Sequence, residues 1–259
     1  MLSVTSQDGA TIAYERVGSG PALVILGGSL ADHHFYAPLA ERFAQHFTVY
    51  NLDRRGRGES GDVAPYAPER EVEDVAALLV AAGGAAAVYG HSAGSALALR
   101  AAAAGLRITR LVLADPPFSP LGADAAAARA DHAAQARQIE QLSSAGDYRG
   151  SVKFFLSGYG LPDEVLEEML NSPAGSAMLA AGRVLPYDYA MLGDGVLPVE
   201  VAARVVTPTL VLAAENDPAV ARALVDAMPA AEFVPTRTAT HELAPDEIAE
   251  VVEPFLLRS

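Results

Sequence analysis

The stretch AVYGHSAGSALALR, residues 87–100, places one hydroxyl at a predicted corner between a strand and a helix. The apolar run before Gly90 predicts a buried strand, and the Ala/Leu-rich segment after Gly94 predicts a helix. Ser92 lies between them in the pattern G-x-S-x-G, where a side chain at either flanking glycine would collide with neighbouring backbone. The corner exposes the serine hydroxyl beside the N–H groups that begin the helix. We therefore predict that Ser92 is a nucleophile.

Strands and helices alternate on both sides of this corner. LSVTS and TIAYERVG flank an Asp8-Gly9 turn and predict a hairpin, and ALVILGG (22–28) is apolar throughout, as in a strand buried on both faces. The fold class predicted is α/β, with a mostly parallel central sheet and helices on both faces. Further strands are expected at 47–53, 85–89, 110–115, 209–217 and 231–236, and helices at 35–45, 70–83, 219–229 and 245–257.

The alternation breaks between about Pro117 and Val206, where no convincing strand occurs. A segment this long is not a simple loop, so we predict a helical cap at 118–205, inserted after the sixth strand into a core formed by 1–117 and 206–259. The segment LPYDYAMLGDG is expected to be a linker that contacts substrate. The predicted helices are 122–145, 162–171 and 173–183, and the candidate apolar lining is Phe154, Phe155, Tyr159, Met169, Met178, Tyr187, Tyr189 and Met191.

Composition restricts the possible partners and compartments. The 259 residues carry a net charge of −14 and no cysteine, which excludes disulfides and thiolate chemistry. A nucleic-acid partner needs a basic face, and Arg54, Arg55 and Arg57 form the single basic cluster. The first residues lack the pattern of a signal peptide, and charges interrupt the most apolar stretch, so neither secretion nor membrane insertion is expected. We expect a cytoplasmic protein.

The segment GRGESG (56–61) matches the dinucleotide-binding pattern G-x-G-x-x-G. Two prolines follow where the phosphate-binding helix would begin, and the preceding strand lies too far along the chain to open a dinucleotide-binding unit. No histidine or carboxylate spacing matches a zinc or two-metal site. We expect no cofactor and no metal.

Together with the Ser92 corner, three further segments resemble the α/β-hydrolase fold superfamily, and the resemblance covers essentially the whole chain. LDRRGRGES (52–60) resembles the family's segment after the fourth strand. PTLVLAAENDPAV (208–220) resembles the strand that ends in the catalytic acid, and ATHELAPDEIAEVVEPFL (239–256) resembles the histidine loop with the last helix. The resemblance implies a serine hydrolase with a helical cap.

The resemblance also implies roles for individual residues. His241 takes the position of the general base, and the chain order Ser, acid, His is satisfied. Asp217 is the favoured acid, with Ala214 where relatives carry glycine; Asp115 is a competitor because some relatives place the acid there. The oxyanion-hole donors are the backbone N–H groups of Ala93 and Ser29.

One departure from the family weakens the Ser29 assignment. Gly27 stands where relatives usually carry a histidine that braces the oxyanion loop. This replacement also hints at a reaction other than ester hydrolysis.

The predicted function is cofactor-independent hydrolysis of an ester, thioester or lactone through an acyl-enzyme. The expected substrate is a small molecule with an apolar acyl group. Two alternatives stay open: another reaction on the same fold, such as carbon–carbon bond hydrolysis, perhydrolysis, lyase chemistry or natural-product tailoring, and a non-catalytic ligand-binding scaffold. The sequence predicts neither the substrate's identity nor the oligomeric state.

Overall fold

The computed structural model describes residues 1–215, 218–237 and 244–258. Its centre is one eight-stranded sheet with the strand order β1-β2-β4-β3-β5-β6-β7-β8. The first two strands are antiparallel to their neighbours, and all the others are parallel. The strands are Leu2–Thr5 (β1), Thr11–Gly18 (β2), Ala22–Leu26 (β3), Thr48–Leu52 (β4), Ala86–His91 (β5), Ile108–Ala114 (β6), Thr209–Ala214 (β7) and Ala231–Thr236 (β8).

Helices cover both faces of this sheet, as the alternating pattern predicts. Strand β3 shows why: Val24 and Leu26 pack into the core on one face, while Leu23 and Ile25 pack into the core on the other. The described α-helices before the end of β6 and after the start of β7 are His33–Phe43 (α1), Pro68–Ala81 (α2), Ala93–Ala103 (α3), Ala219–Ala227 (α10) and Pro245–Leu256 (α11).

A helical insertion separates β6 from β7, in the region where the sequence pattern breaks. Three of its helices lie close to the predicted positions, and the others were not predicted from the sequence. Residues 185–195 are not a linker: most of them form a helix, which begins with Pro186 in its first turn and ends at Gly193, where φ is 68°. The helices are Ala125–Ser144 (α4), Tyr148–Ser157 (α5), Asp163–Asn171 (α6), Gly175–Ala181 (α7), Leu185–Leu192 (α8) and Val199–Ala202 (α9).

The insertion has its own apolar cluster, distinct from the two cores that flank the sheet. Ile139, Val152, Leu166 and Leu185 are each almost fully buried in it. Leu30, from the loop after β3, packs into the same cluster and so connects the insertion with the carboxyl edge of the sheet. None of the described helices is long and apolar enough to cross a membrane.

Candidate active site

Ser92 lies at the corner between β5 and α3. Its backbone adopts φ 51° and ψ −124°, a conformation that is costly for a residue with a side chain. The N–H of Ser92 donates to the carbonyl oxygen of Ala114 on β6 at 2.9 Å, which fixes the corner to the neighbouring strand. Strain that the surrounding structure maintains in this way is typical of functional sites.

The two glycines of the corner allow close packing that no other residue would permit. A Cβ at Gly90 would lie 2.5 Å from the carbonyl oxygen of Gly94. A Cβ at Gly94 would overlap the carbonyl oxygen of Leu26 on β3. Both contacts involve backbone, which cannot move aside, so the sequence requirement for glycine at these positions is confirmed.

Positive φ at residues other than glycine marks the carboxyl edge of three adjacent strands. Among the described residues other than glycine, only Leu30, Ser92 and Asp115 have positive φ, at 60°, 51° and 48°. They follow β3, β5 and β6, which are neighbours in the sheet. In open α/β sheets this edge is where ligands bind.

The loop after β3 has two backbone N–H groups near Ser92, those of Gly28 and Ser29. The N–H of Gly28 donates to the hydroxyl of Tyr36 at 2.8 Å and is therefore occupied. In the described part of the chain, no backbone oxygen accepts the N–H of Ser29, the next residue. Ser29, Ser92 and Ala93 line the same cavity, and Ala93 begins α3, where the first N–H groups have no partner within the helix.

Tyr36 is a site residue that the sequence analysis missed. Its ring occupies the space beside Gly27, where a Cβ would lie 2.5 Å from Cε2 of the tyrosine. Its hydroxyl also lies 2.8 Å from Nδ1 of His91, the residue before Ser92. Burial raises the pKa of Tyr36, so this hydroxyl stays neutral. In the sequence, the one sign of this arrangement is Gly27, which stands where relatives usually carry the histidine that braces this loop.

An apolar cavity of about 380 Å³ opens beside Ser92. The loop after β3 and helix α1 form one side, and side chains of the insertion form the other. Of the eight aromatic and methionine side chains considered from the sequence, four line it. The insertion residues that line this cavity are Phe155, Leu156, Tyr159, Leu161, Met169 and Met178.

The other four candidates for apolar lining have different environments. Phe154 is exposed, and Met191 is completely buried in the main core. Tyr187 stacks on Tyr66 with ring centroids 3.7 Å apart. Tyr189 lines a second cavity, of about 330 Å³, which shares Ser29, Ser92, Phe155 and Tyr159 with the first. We call this cavity, which is more polar than the first, the polar cavity; the insertion side chains that line it include Asp131, His132, Gln135, Asp188 and Tyr189.

A buried ion-pair network connects the insertion with the segment after β4. Arg54 forms two hydrogen bonds with Glu71, at 2.8 and 2.9 Å, and its Nη1 lies 2.9 Å from Asp188 of α8. Arg57 Nη2 donates to the same aspartate at 2.8 Å. Burial alone would raise the pKa of Asp188, but Arg57 and Arg54, with a hydrogen bond from Ser29, hold it below its usual value.

The arginines of the LDRRGRGES segment are therefore internal. Arg54, Arg55 and Arg57 are each at most 2% exposed, and all three are paired with carboxylates. They form no basic surface. The glycines of this segment shape a turn: a Cβ at Gly58 would overlap the carboxylate of Asp53.

The two remaining residues of the predicted triad, Asp217 and His241, lie outside the described residues. Asp115, the competing acid, is described: it follows β6, and its N–H donates to the carbonyl oxygen of Leu212 at 2.9 Å. The described residues contain no cluster of histidine and carboxylate side chains that could hold a metal ion.

The comparison with protein families decides the classification. The family model described as the alpha/beta hydrolase family matches residues 23–253 of this chain. The chain belongs to the alpha/beta hydrolase family. The resemblance drawn from the sequence motifs is thereby confirmed, and so is the fold class.

A solved structure of another alpha/beta hydrolase, from Sphaerobacter thermophilus, is similar over nearly the whole chain. It is 42% identical, with a TM-score of 0.85, and the alignment covers 98% of this alpha/beta hydrolase and 99% of that one. A hydrolase from Pseudomonas aeruginosa is 27% identical, with a TM-score of 0.75, over 99% and 98% of the two chains.

Curated relatives match over shorter segments. N-formylmaleamate deformylase from Pseudomonas putida is 38% identical over 109 residues, which cover 40% of this alpha/beta hydrolase and 41% of the relative. A pimeloyl-[acyl-carrier protein] methyl ester esterase from Xanthomonas campestris is 35% identical over 145 residues, or 54% of each chain. The chain thus spans about half the length, or less, of the curated relatives it matches.

Proposed function

We propose that this protein is a cofactor-independent serine hydrolase that cleaves an ester, thioester or lactone of a small molecule. Ser92 attacks the carbonyl carbon, and His241 accepts the serine proton and returns it to the leaving group. Asp217 orients the histidine and stabilises its charged form. Water, activated by the same histidine, then hydrolyses the acyl-enzyme.

The observation that carries the proposal is the geometry around Ser92. Ser92 stands at a strained corner and lines one cavity with Ser29 and Ala93, whose backbone N–H groups are the candidate oxyanion donors. Donors fixed before the reaction stabilise the oxyanion that forms on attack, because they need not reorganise. The match to the methyl ester esterase is consistent with ester cleavage.

The two cavities support a substrate with chemically different ends. We assign the acyl group to the apolar cavity, whose size suits a short or medium chain. In this assignment the insertion acts as the cap of the active site. We also propose that the protein acts in the cytoplasm, on a small-molecule substrate.

Hydrolysis of p-nitrophenyl esters with graded acyl chains tests the proposal. We expect turnover to be greatest for short or medium acyl chains and to fall by roughly six orders of magnitude in Ser92→Ala. A Ser92→Ala variant within tenfold of the wild type would show that the serine is not the nucleophile. Covalent labelling of Ser92 without turnover of any ester would instead favour one of the other reactions that this fold supports.

A further inference from the structure

We propose that the polar cavity binds the leaving group and that His132 selects alcohols carrying an uncharged hydrogen-bonding group, such as a hydroxyl. The inference rests on the proposed function, because it assigns the two ends of an ester to the two cavities. The polar cavity begins at Ser29, Ser92 and Ala93, so a group held there is attached directly to the reacting carbonyl.

His132 carries an unused hydrogen-bonding atom at this cavity. Its Nε2 is buried and has no hydrogen-bond partner among the residues that the structure describes. A buried polar atom without a partner costs about 1–3 kcal/mol, so such atoms in native proteins call for a functional explanation. A hydroxyl on the bound alcohol can either donate to an imidazole nitrogen or accept from it, and so satisfies either tautomer.

The backbone of the insertion fixes the position of this imidazole. A Cβ at Gly195 would lie 2.5 Å from Cγ of His132, so the ring packs directly on the glycine backbone. On another side, the ring of Tyr189 lies with its centroid 5.1 Å from that of the histidine. A group held in this way is preorganised, and binding to it costs little additional ordering.

The neighbouring polar side chains bind each other. Gln135 Nε2 donates to Asp131 at 2.7 Å, and the hydroxyl of Tyr189 donates to Oε1 of the same glutamine at 3.2 Å. Burial raises the pKa of Tyr189 to about 12, so its hydroxyl keeps the proton that it donates. Asp131, Gln135 and Tyr189 are thus bonded to one another, whereas Nε2 of His132 has no partner among the described residues.

The surrounding charges disfavour an anionic leaving group. Asp131 lines the cavity, and its described partner Gln135 is uncharged, whereas the charge of Asp188 is balanced by Arg54 and Arg57. The nearby cations are already neutralised: Arg54 and Arg57 pair with Asp188, and Arg129 pairs with Asp194. A carboxylate on the alcohol would face negative charge without a free cation, whereas a neutral hydroxyl would not.

Three hexanoate esters test the proposal by their dissociation constants for the non-hydrolysing Ser92→Ala protein. The 2-hydroxyethyl and propyl esters differ by one hydroxyl in place of a methyl group, and the carboxymethyl ester adds a negative charge. We expect the 2-hydroxyethyl ester to bind about tenfold more tightly than the propyl ester, which corresponds to one hydrogen bond. The carboxymethyl ester should bind more weakly than either.

Substitutions in the same Ser92→Ala background assign the preference to one side chain. His132→Phe should abolish the preference for the 2-hydroxyethyl ester, while His132→Gln, which keeps hydrogen-bonding atoms, should retain part of it. His46→Phe is the matched control, because that histidine is exposed and lines neither cavity. Thermal unfolding of each variant verifies that it is folded.

The outcomes separate this inference from the proposed function. An unchanged preference in His132→Phe, or no preference in the Ser92→Ala protein, would overturn the subsite. Selective binding by the Ser92→Ala protein without turnover by the wild type would leave the subsite standing and contradict the hydrolase. Turnover by the wild type without selective binding would overturn the subsite and leave the hydrolase standing. Failure of all three esters to bind, together with no ester turnover by the wild type, would contradict both.

Discussion

The hydroxyl of Tyr36 accepts a hydrogen bond from the backbone N–H of Gly28 at 2.8 Å, directly before the candidate oxyanion donor Ser29. The tyrosine comes from α1, eight residues further along the chain, and fills the space above Gly27. In this protein the brace of the loop is therefore supplied from a helix. The same hydroxyl contacts His91, so it connects the loop with the residue before Ser92.

Removing that hydroxyl should weaken catalysis more than substrate binding. We expect Tyr36→Phe to lower kcat about tenfold to a hundredfold with little change in KM, because an unpartnered Gly28 N–H costs about 1–3 kcal/mol and lets the loop move. Tyr50→Phe on β4 is the matched control, since this tyrosine is buried away from both cavities. A wild-type kcat in Tyr36→Phe would show that the loop needs no such brace.

The corner itself should be intolerant of a single methyl group. We expect Gly94→Ala to lower the free energy of unfolding by about 1–3 kcal/mol or more, because the new Cβ would overlap the backbone of Leu26. Gly158→Ala serves as the control, since φ is −61° there and the nearest atom to a Cβ would be 3.3 Å away. Urea unfolding of both variants measures the difference, and equal losses would argue against the close approach.

Hydrophobic patterning predicted the sheet because the apolar residues that mark each buried strand are close together in the sequence. The run Leu23–Leu26 contributes to the cores on both faces, which a continuous apolar pattern indicates directly. The Ser92 corner was predictable for a similar reason: the glycines that permit it are two residues away from the serine on either side.

Contacts between distant segments were not predictable in this way. Tyr36 and Gly28 meet through a turn that no local pattern encodes, and Asp188 reaches Arg54 and Arg57 from 131 or more residues along the chain. The arginines resembled an exposed basic cluster because sequence does not show which carboxylates will neutralise them. Helix α8 was taken for a linker because its Pro186 and its terminal glycine are also loop signals.

The two buried ion pairs that Asp188 forms with Arg54 and Arg57 should make the free energy of unfolding depend on pH. Since the folded-state pKa of this aspartate lies below 3.8, its contribution is present above that pH and is lost as pH falls through the folded-state pKa. We expect Asp188→Asn to lower the free energy of unfolding by about 3–5 kcal/mol at pH 7, and the gap to the wild type to narrow below pH 3.8.

Urea unfolding at several pH values between 3 and 7 measures this gap. Asp194→Asn is the control, because that aspartate and its partner Arg129 are both exposed, and such pairs contribute about 1 kcal/mol or less. A gap for Asp188→Asn that stays constant over the whole pH range would show that the ionised aspartate is not what the arginines stabilise.

The identity of the catalytic acid is tested by replacing each candidate with asparagine. We expect Asp217→Asn to lower turnover by roughly four orders of magnitude, because the amide favours the wrong histidine tautomer, and Asp115→Asn to lower it far less. Both substitutions preserve side-chain shape, so each variant serves as the other's control. The reversed result would assign the acid to Asp115, whose positive φ already places strain at this edge of the sheet.

Intact-mass analysis of the protein after reaction with a fluorophosphonate, followed by peptide mapping, tests the central claim most directly. If Ser92 is the activated nucleophile, the protein gains one phosphonyl group on the peptide that contains residues 87–100, and neither Ser92→Ala nor His241→Ala reacts at an appreciable rate. No adduct on the wild type, an adduct on another residue, or undiminished labelling of Ser92→Ala would contradict it.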